Sequence, residues 1–174
     1  MITDEYRELN RQLHADRKDY GRSSSRWAPV VMNLCSQIES TDVLDYGCGK
    51  AELNLHLPFE LKKYDPAIKK YEAKPEPADI VVCTDVMEHV EPQFIDNVLD
   101  DLVRLSPHLC LLNVATRLAV KTLADGRNAH ISHHPIEWWM PKIRERWEVL
   151  ETQATEGEFT CTLKSLGSKG DVAQ

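Results

Sequence analysis

The chain has 174 residues, enough for one domain with its own core. Its net charge of −7 argues against a broad electrostatic surface for long duplex nucleic acid, though not against a local basic groove. The five cysteines (35, 48, 83, 110 and 161) contain no Cys-x-x-Cys pair, so they read as small buried residues in a reducing compartment rather than as a disulfide or zinc framework. The N-terminus lacks the basic and apolar regions of a signal peptide, and no apolar run approaches the ~20 residues that span a bilayer. These features predict a cytoplasmic protein.

Thr3 is placed to cap a first helix whose opening turn carries Asp4 and Glu5, and Tyr6, Leu9 and Leu13 repeat along one narrow apolar stripe. A second helix is predicted over 26–38, with Pro29 in its first turn and Val30, Val31, Leu34 and Ile38 turned inward. Residues 41–46 read as a strand, broken by Gly47 and Gly49. Glycine suits positions where the backbone takes positive φ or approaches a ligand closely. An apolar strand ending in Asp45-x-Gly47-x-Gly49 is the opening of a nucleotide-binding βα unit, and Asp65, twenty positions on after a second short strand at 61–64, stands where an acid reaches ribose hydroxyls. The alternative for the glycines alone is a tight turn that binds nothing.

A short helix is predicted over 50–57. Residues 79–83 form a clear buried strand. Pro92 opens an amphipathic helix with Phe94, Ile95, Val98, Leu99, Leu102 and Leu105 on its inner face. A further strand spans 108–114. A long loop then runs from 115 to 134, followed by a helix over 136–146 with Trp138 and Trp139. Two final strands, 147–152 and 158–165, are joined as a hairpin at Glu156-Gly157. The tail from 167 to 174 reads as disordered.

Asp45-x-Gly47-x-Gly49, Asp65, and the run Cys83-Thr84-Asp85-Val86-Met87-Glu88-His89-Val90 resemble the first, second and fourth motifs of class I S-adenosylmethionine-dependent methyltransferases, over residues 41–165. The resemblance implies an α/β, Rossmann-like three-layer sandwich with a mostly parallel sheet. It also implies a family strand order of 3-2-1-4-5-7-6. The segment between Asp65 and Ile80 carries Pro66, Pro75 and Pro77 and is too short for a helix, a strand and a return loop, so six strands are expected, without the third, edge strand. That leaves the usual adenine contact unassigned. By the same resemblance residues 1–40 are N-terminal helices covering the cofactor site, with Tyr20 and Gly21 over it, and 41–166 are the S-adenosylmethionine-binding core. Asp45, Gly47, Cys48, Gly49, Asp65, Pro66, Thr84 and Asp85 are the cofactor-binding candidates.

Ligands in open α/β sheets bind beyond the carboxyl ends of the strands. Four of the seven histidines fall there: His89, His130, His133 and His134. Of these, His89, His130 and His134 are the catalytic candidates, because imidazole titrates near neutrality and serves as base or acid. Asp85, Glu88, His89 and His134 are also similar to the metal site of the small-RNA 3′-end 2′-O-methyltransferases, an alternative in which a divalent ion grips ribose hydroxyls. Arg117, Lys121 and Arg127 are read either as holding a substrate anion or as solvated surface charges. One of Trp138 and Trp139 is expected to wall the substrate pocket, since adjacent helical residues face different ways. Taken together, the sequence predicts transfer of a methyl group to an oxygen or nitrogen of a polar acceptor. The competing readings are ribose methylation, a non-catalytic binding protein and a cofactor-cleaving enzyme.

Overall fold

The computed structural model describes residues 2–16 and 22–166, and within them one six-stranded sheet organises the chain. The strands are β1 (Val43–Tyr46), β2 (Lys62–Tyr64), β3 (Ile80–Thr84), β4 (Leu109–Ala115), β5 (Trp147–Thr155) and β6 (Glu158–Ser165). Their spatial order is β2-β1-β3-β4-β6-β5. The first four run parallel, and β6 pairs antiparallel with both β4 and β5. This is the expected family order without its third strand. Residues 65–79 hold a 3₁₀ turn, Lys69–Tyr71, where that strand would lie, and β2 ends the sheet on that side.

The central strands are apolar throughout because both their faces are covered. All seven residues of β4 are buried, as are all four of β1. Alternate residues serve opposite layers. Val81, Cys83, Cys110 and Leu112 pack with α3 (Ile95–Leu105) and α4 (Ile136–Arg144), through Val98, Leu99, Leu102, Leu105, Trp139 and Ile143. Ile80, Val82, Leu109 and Leu111 pack on the other face with α2 (Ala28–Ile38), through Val31, Leu34 and Cys35. A third, smaller cluster is independent of the sheet. Tyr6 of α1 (Asp4–Asp16) is buried with Leu123 and Ala129 of the long loop, and Leu9 and Leu13 lean on them.

Several predicted boundaries shift. The helix expected over 50–57 is a single 3₁₀ turn, Leu53–His56. Ala51 sits at φ 60°, outside the right-handed helical region, and Leu57 precedes a proline and is extended. The helix expected from 26 starts at Ala28, after a 3₁₀ segment at Arg22–Trp27, and ends where Glu39 turns left-handed at φ 53°. A 3₁₀ turn at Pro92–Phe94 leads into α3. The closing hairpin has its turn at Glu156-Gly157, with Gly157 at φ 92°, but β5 extends to Thr155. Tyr20, Gly21 and the expected disordered tail lie outside the described residues. Among those described, no helix is long and apolar enough to cross a membrane.

Leu99 is fully buried between α3 and the sheet, whereas Leu55 is 73% exposed. Leu99→Ala should cost ~2–5 kcal/mol of unfolding free energy by urea denaturation, and Leu55→Ala should stay within about 0.5 kcal/mol of wild type. Equal effects would contradict this assignment of the core.

Candidate functional site

A cavity of about 460 Å³ opens beyond the carboxyl ends of β1, β2 and β3. All eight predicted cofactor residues line it: Asp45, Gly47, Cys48, Gly49, Asp65, Pro66, Thr84 and Asp85. The loop after β1 is held by the end of β2, because the Gly47 and Cys48 amides both donate to the Tyr64 carbonyl, at 2.7 and 3.0 Å. Asp65 completes the tie. Its Oδ2 accepts from the Gly49 amide at 2.9 Å and its Oδ1 from the Ala67 amide at 2.8 Å. Four lone pairs on a carboxylate leave capacity for further donors.

Gly47 is required twice over. Its φ is 79°, and a Cβ there would lie 2.3 Å from Cγ2 of Val86. Across the crevice Asp85 also adopts a left-handed φ, 57°, which Asp tolerates better than most residues. That turn sends the chain after β3 out of the sheet and along the cavity, so that Glu88 and His89 line it as well.

Burial sets the electrostatics. Asp45 is 6% exposed, and desolvation, with the neighbouring charge of Asp65, pushes its carboxyl up to about 7. Glu88 is fully buried, and desolvation followed by the charge of Asp85 raises it to about 8. The Cys48 thiol is pushed well up by burial and then by Asp45, which makes it a poor nucleophile.

Of the three catalytic candidates, His89 and His130 meet at the cavity. Their rings lie edge to face with centroids 4.9 Å apart. His89 Nδ1 donates to the Ala129 carbonyl at 2.8 Å and His130 Nδ1 to the Arg117 carbonyl at 2.7 Å. Burial lowers the pKa of His130, which favours the neutral ring. His134 is not among the lining residues. It stacks on Trp138, with centroids 3.9 Å apart and planes 17° from parallel. The metal set read from sequence therefore does not assemble as written, and Glu88, His89 and His130 come together instead. Trp139 is a fully buried core residue, and Trp138 faces His134 rather than the cavity. Arg127 is paired with Asp125 at 2.6 Å and lies over the Tyr6 ring. Arg117 and Lys121 reach the cavity, where Arg117 also donates to the Gly157 carbonyl and sits 3.6 Å from Glu158.

The sequence reading puts residues 1–40 over the site but singles out none of the residues that roof the cavity. Ile2, Tyr6 and Asn10 of the N-terminal segment line the cavity from one side, and Leu118, Ala119 and Val120 of the long loop from another. The N-terminal segment is tied down at two points. The Thr3 amide and hydroxyl donate to Glu91 at 2.8 and 2.9 Å. Arg11 donates to the Ala67 carbonyl at 3.3 Å and pairs with Glu72 at 3.1 Å. Asn10 stands four residues from Tyr6 on the same helix face, the one periodic signal that could have placed it.

Sheet order and crevice together define the fold of the class I S-adenosylmethionine-dependent methyltransferases. Three solved structures illustrate it. The 1,6-didemethyltoxoflavin-N1-methyltransferase of Burkholderia thailandensis superposes with a TM-score of 0.65 at 14% identity, over 95% of this chain and 91% of its own. The N-methyltransferase NodS of Bradyrhizobium japonicum WM9 gives 0.60 at 15% identity, over 94% and 100%. The magnesium protoporphyrin IX methyltransferase of Synechocystis PCC 6803 gives 0.59 at 14%, over 84% and 83%. Each was crystallised with S-adenosylhomocysteine. At such identities the likeness is one of fold. No protein-family model and no curated protein sequence matches the chain.

The raised carboxyl of Asp45 has a consequence for stability. A folded-state value above the unfolded one means that its contribution is full below about pH 4 and is lost as pH rises toward 7. Asp45→Asn should therefore be more stable than wild type at pH 8, by about 2–4 kcal/mol at ~1.4 kcal/mol per unit, with the gap closing near pH 4. Urea denaturation across that range checks this, and parallel profiles would refute it.

Proposed function

We propose that the protein is an S-adenosylmethionine-dependent methyltransferase that methylates an oxygen or nitrogen of a polar acceptor. The observation that carries this reading is the convergence, in one cavity, of the glycine loop, Asp45, Asp65 and Asp85 with the imidazoles of His89 and His130. The cavity is within the roughly 300–1,000 Å³ of small-molecule sites. The residues fit the cofactor. Asp45 is a desolvated carboxyl for which a cationic ligand is a matching partner, and Asp65 retains acceptor capacity for ribose hydroxyls. Gly47 and Gly49 let the backbone approach a ligand. Pro66 and Ala67, with Ile2, Tyr6 and Asn10 above, close the side that a third strand would otherwise border. In this reading the N-terminal helix serves as the cover of the cofactor site.

When bound, the cofactor supplies a methyl group already activated by a positive sulfur. The protein's work is then mainly alignment and exclusion of water. His89 and His130, held as Nδ1–H tautomers by backbone carbonyls, present Nε2 as the basic atom toward an acceptor proton. Lys121 and Arg117 border the same space and suit an acceptor carrying an anionic group, while Leu118 and Val120 offer an apolar rim at its mouth.

Calorimetry should detect S-adenosylmethionine binding. Asp65→Ala should weaken it at least about tenfold, since a charged hydrogen bond is worth ~1.5–3 kcal/mol. With labelled cofactor and a cell extract, label should move into an acceptor. His89→Ala and His130→Ala should each cut that transfer while keeping cofactor affinity within about threefold. Undetectable cofactor binding would overturn the reading, and label released without an acceptor would replace transfer by cleavage.

A further inference from the structure

The cavity wall carries a cluster that methyl transfer alone does not require. One ligand atom each from Glu88, His89 and His130 lies within 4.8 Å of the others. Nothing in the sequence spacing places His130 with the other two. The path of the long loop does so, pinned where the Ser132 amide donates to the Glu88 carbonyl at 3.0 Å.

Two independent features mark the cluster as built for a cation. The first is the state of the rings. A carbonyl oxygen can only accept, so the contacts to Ala129 and Arg117 make each Nδ1 a donor and put the lone pair of each neutral ring on Nε2. Metal-ligating histidines almost always donate their other ring N–H in this way, to a carboxylate, a backbone carbonyl or water. The second is Glu88. Its side chain is fully buried, Oε1 accepts from the Ala115 amide at 3.2 Å, and Oε2 has no hydrogen-bond partner. A buried carboxylate oxygen without a donor is costly, and a cation is the partner that satisfies it without a proton. Asp85 adds negative potential at Glu88, and Arg117 opposes it.

We propose that Glu88, His89 and His130 hold a divalent transition-metal ion in the cavity wall, with its remaining coordination positions open to the cavity. Two imidazoles and one carboxylate suit a borderline ion such as Zn²⁺, Co²⁺ or Mn²⁺ better than Ca²⁺, which favours six or more oxygens. Bond lengths of ~2.0–2.2 Å ask the side chains to close in by about an ångström. With the ion bound the Nε2 lone pairs are its ligands, and its open positions replace the imidazoles in lowering the pKa of an acceptor hydroxyl or amine, a role that rests on the methyl-transfer reading, whereas the metal site itself does not.

The test uses tag-free full-length protein, stripped with a chelator and titrated with Co²⁺ and with Zn²⁺. Calorimetry and metal analysis should report one equivalent, and Co²⁺ should develop visible absorption from inner-sphere nitrogen ligands. Glu88→Gln and His130→Ala should each weaken binding about 100-fold or more, because even supporting partners of a ligand are worth ~10–100-fold. His134→Ala should bind like wild type. Should Glu88→Gln fail to fold, His130→Ala decides, since His130 is only partly buried. No ion bound by wild type, wild-type affinity in His130→Ala, or loss of the ion in His134→Ala would each overturn the assignment. Calorimetry with S-adenosylmethionine on the same samples separates the two ideas. An ion bound without the cofactor leaves the metal site standing and removes methyl transfer, and the reverse outcome removes the metal site alone.

Discussion

Asp65 is the joint on which the cavity depends. Its two oxygens each take a backbone amide, one from the glycine loop after β1 and one from the turn after β2. Two connections that sequence separates by some sixteen residues are thereby locked into one rim. An ionised carboxylate accepting two amides makes a stronger bond than a neutral acceptor would. The same rim presents Asp45 a short distance below, where burial and the charge of Asp65 together hold its carboxyl near neutrality. The acid that shapes the loop therefore also tunes its neighbour, so a change at Asp65 alters both geometry and charge in the crevice.

The absence of a third strand in residues 65–79 is compensated by other means. In that segment the chain makes a proline-bounded 3₁₀ turn, and the space beside it is covered from above by α1. Arg11 reaches across to Ala67 and Glu72, linking the cover to the shortened edge. The long loop after β4 completes the enclosure, packing Leu123 and Ala129 under Tyr6.

How much of this was legible in the sequence follows from how local each feature is. The strands β1, β3 and β4 could be read because burial on both faces leaves unbroken apolar runs. That Asp45, Gly47, Gly49 and Asp65 share one cavity could be read because Asp-x-Gly-x-Gly and the second acid are fixed by backbone conformation and by the reach of a side chain. The 50–57 helix failed on one residue, Ala51, whose left-handed φ no propensity scale anticipates. The histidines were found as a group, but which of them share the cavity depends on how the 116–134 loop folds back. Hydrogen bonds between Asn128 and the Ala119 backbone, and between Ser132 and Glu88, decide that path, and neither leaves a pattern in the sequence. The partnership of Thr3 with Glu91 spans eighty-eight positions and is equally invisible.

The smallness of the third apolar cluster bears on traffic through the site. The sheet and its two helical layers hold nearly all the buried apolar residues, whereas the cover is held by Tyr6, Leu123, Ala129 and a few polar ties. Units with little buried apolar surface open at a fraction of the global unfolding free energy. The cover is therefore expected to open at a lower free energy than the sheet. Such an opening would break the Thr3–Glu91 contacts and leave the two amide bonds to Asp65 in place. In the proposed reading, entry and exit of a ligand would depend on α1 and the rigidity of the floor on the loops after the strands, so the lifetime of a bound ligand could be changed at α1 without rebuilding the floor.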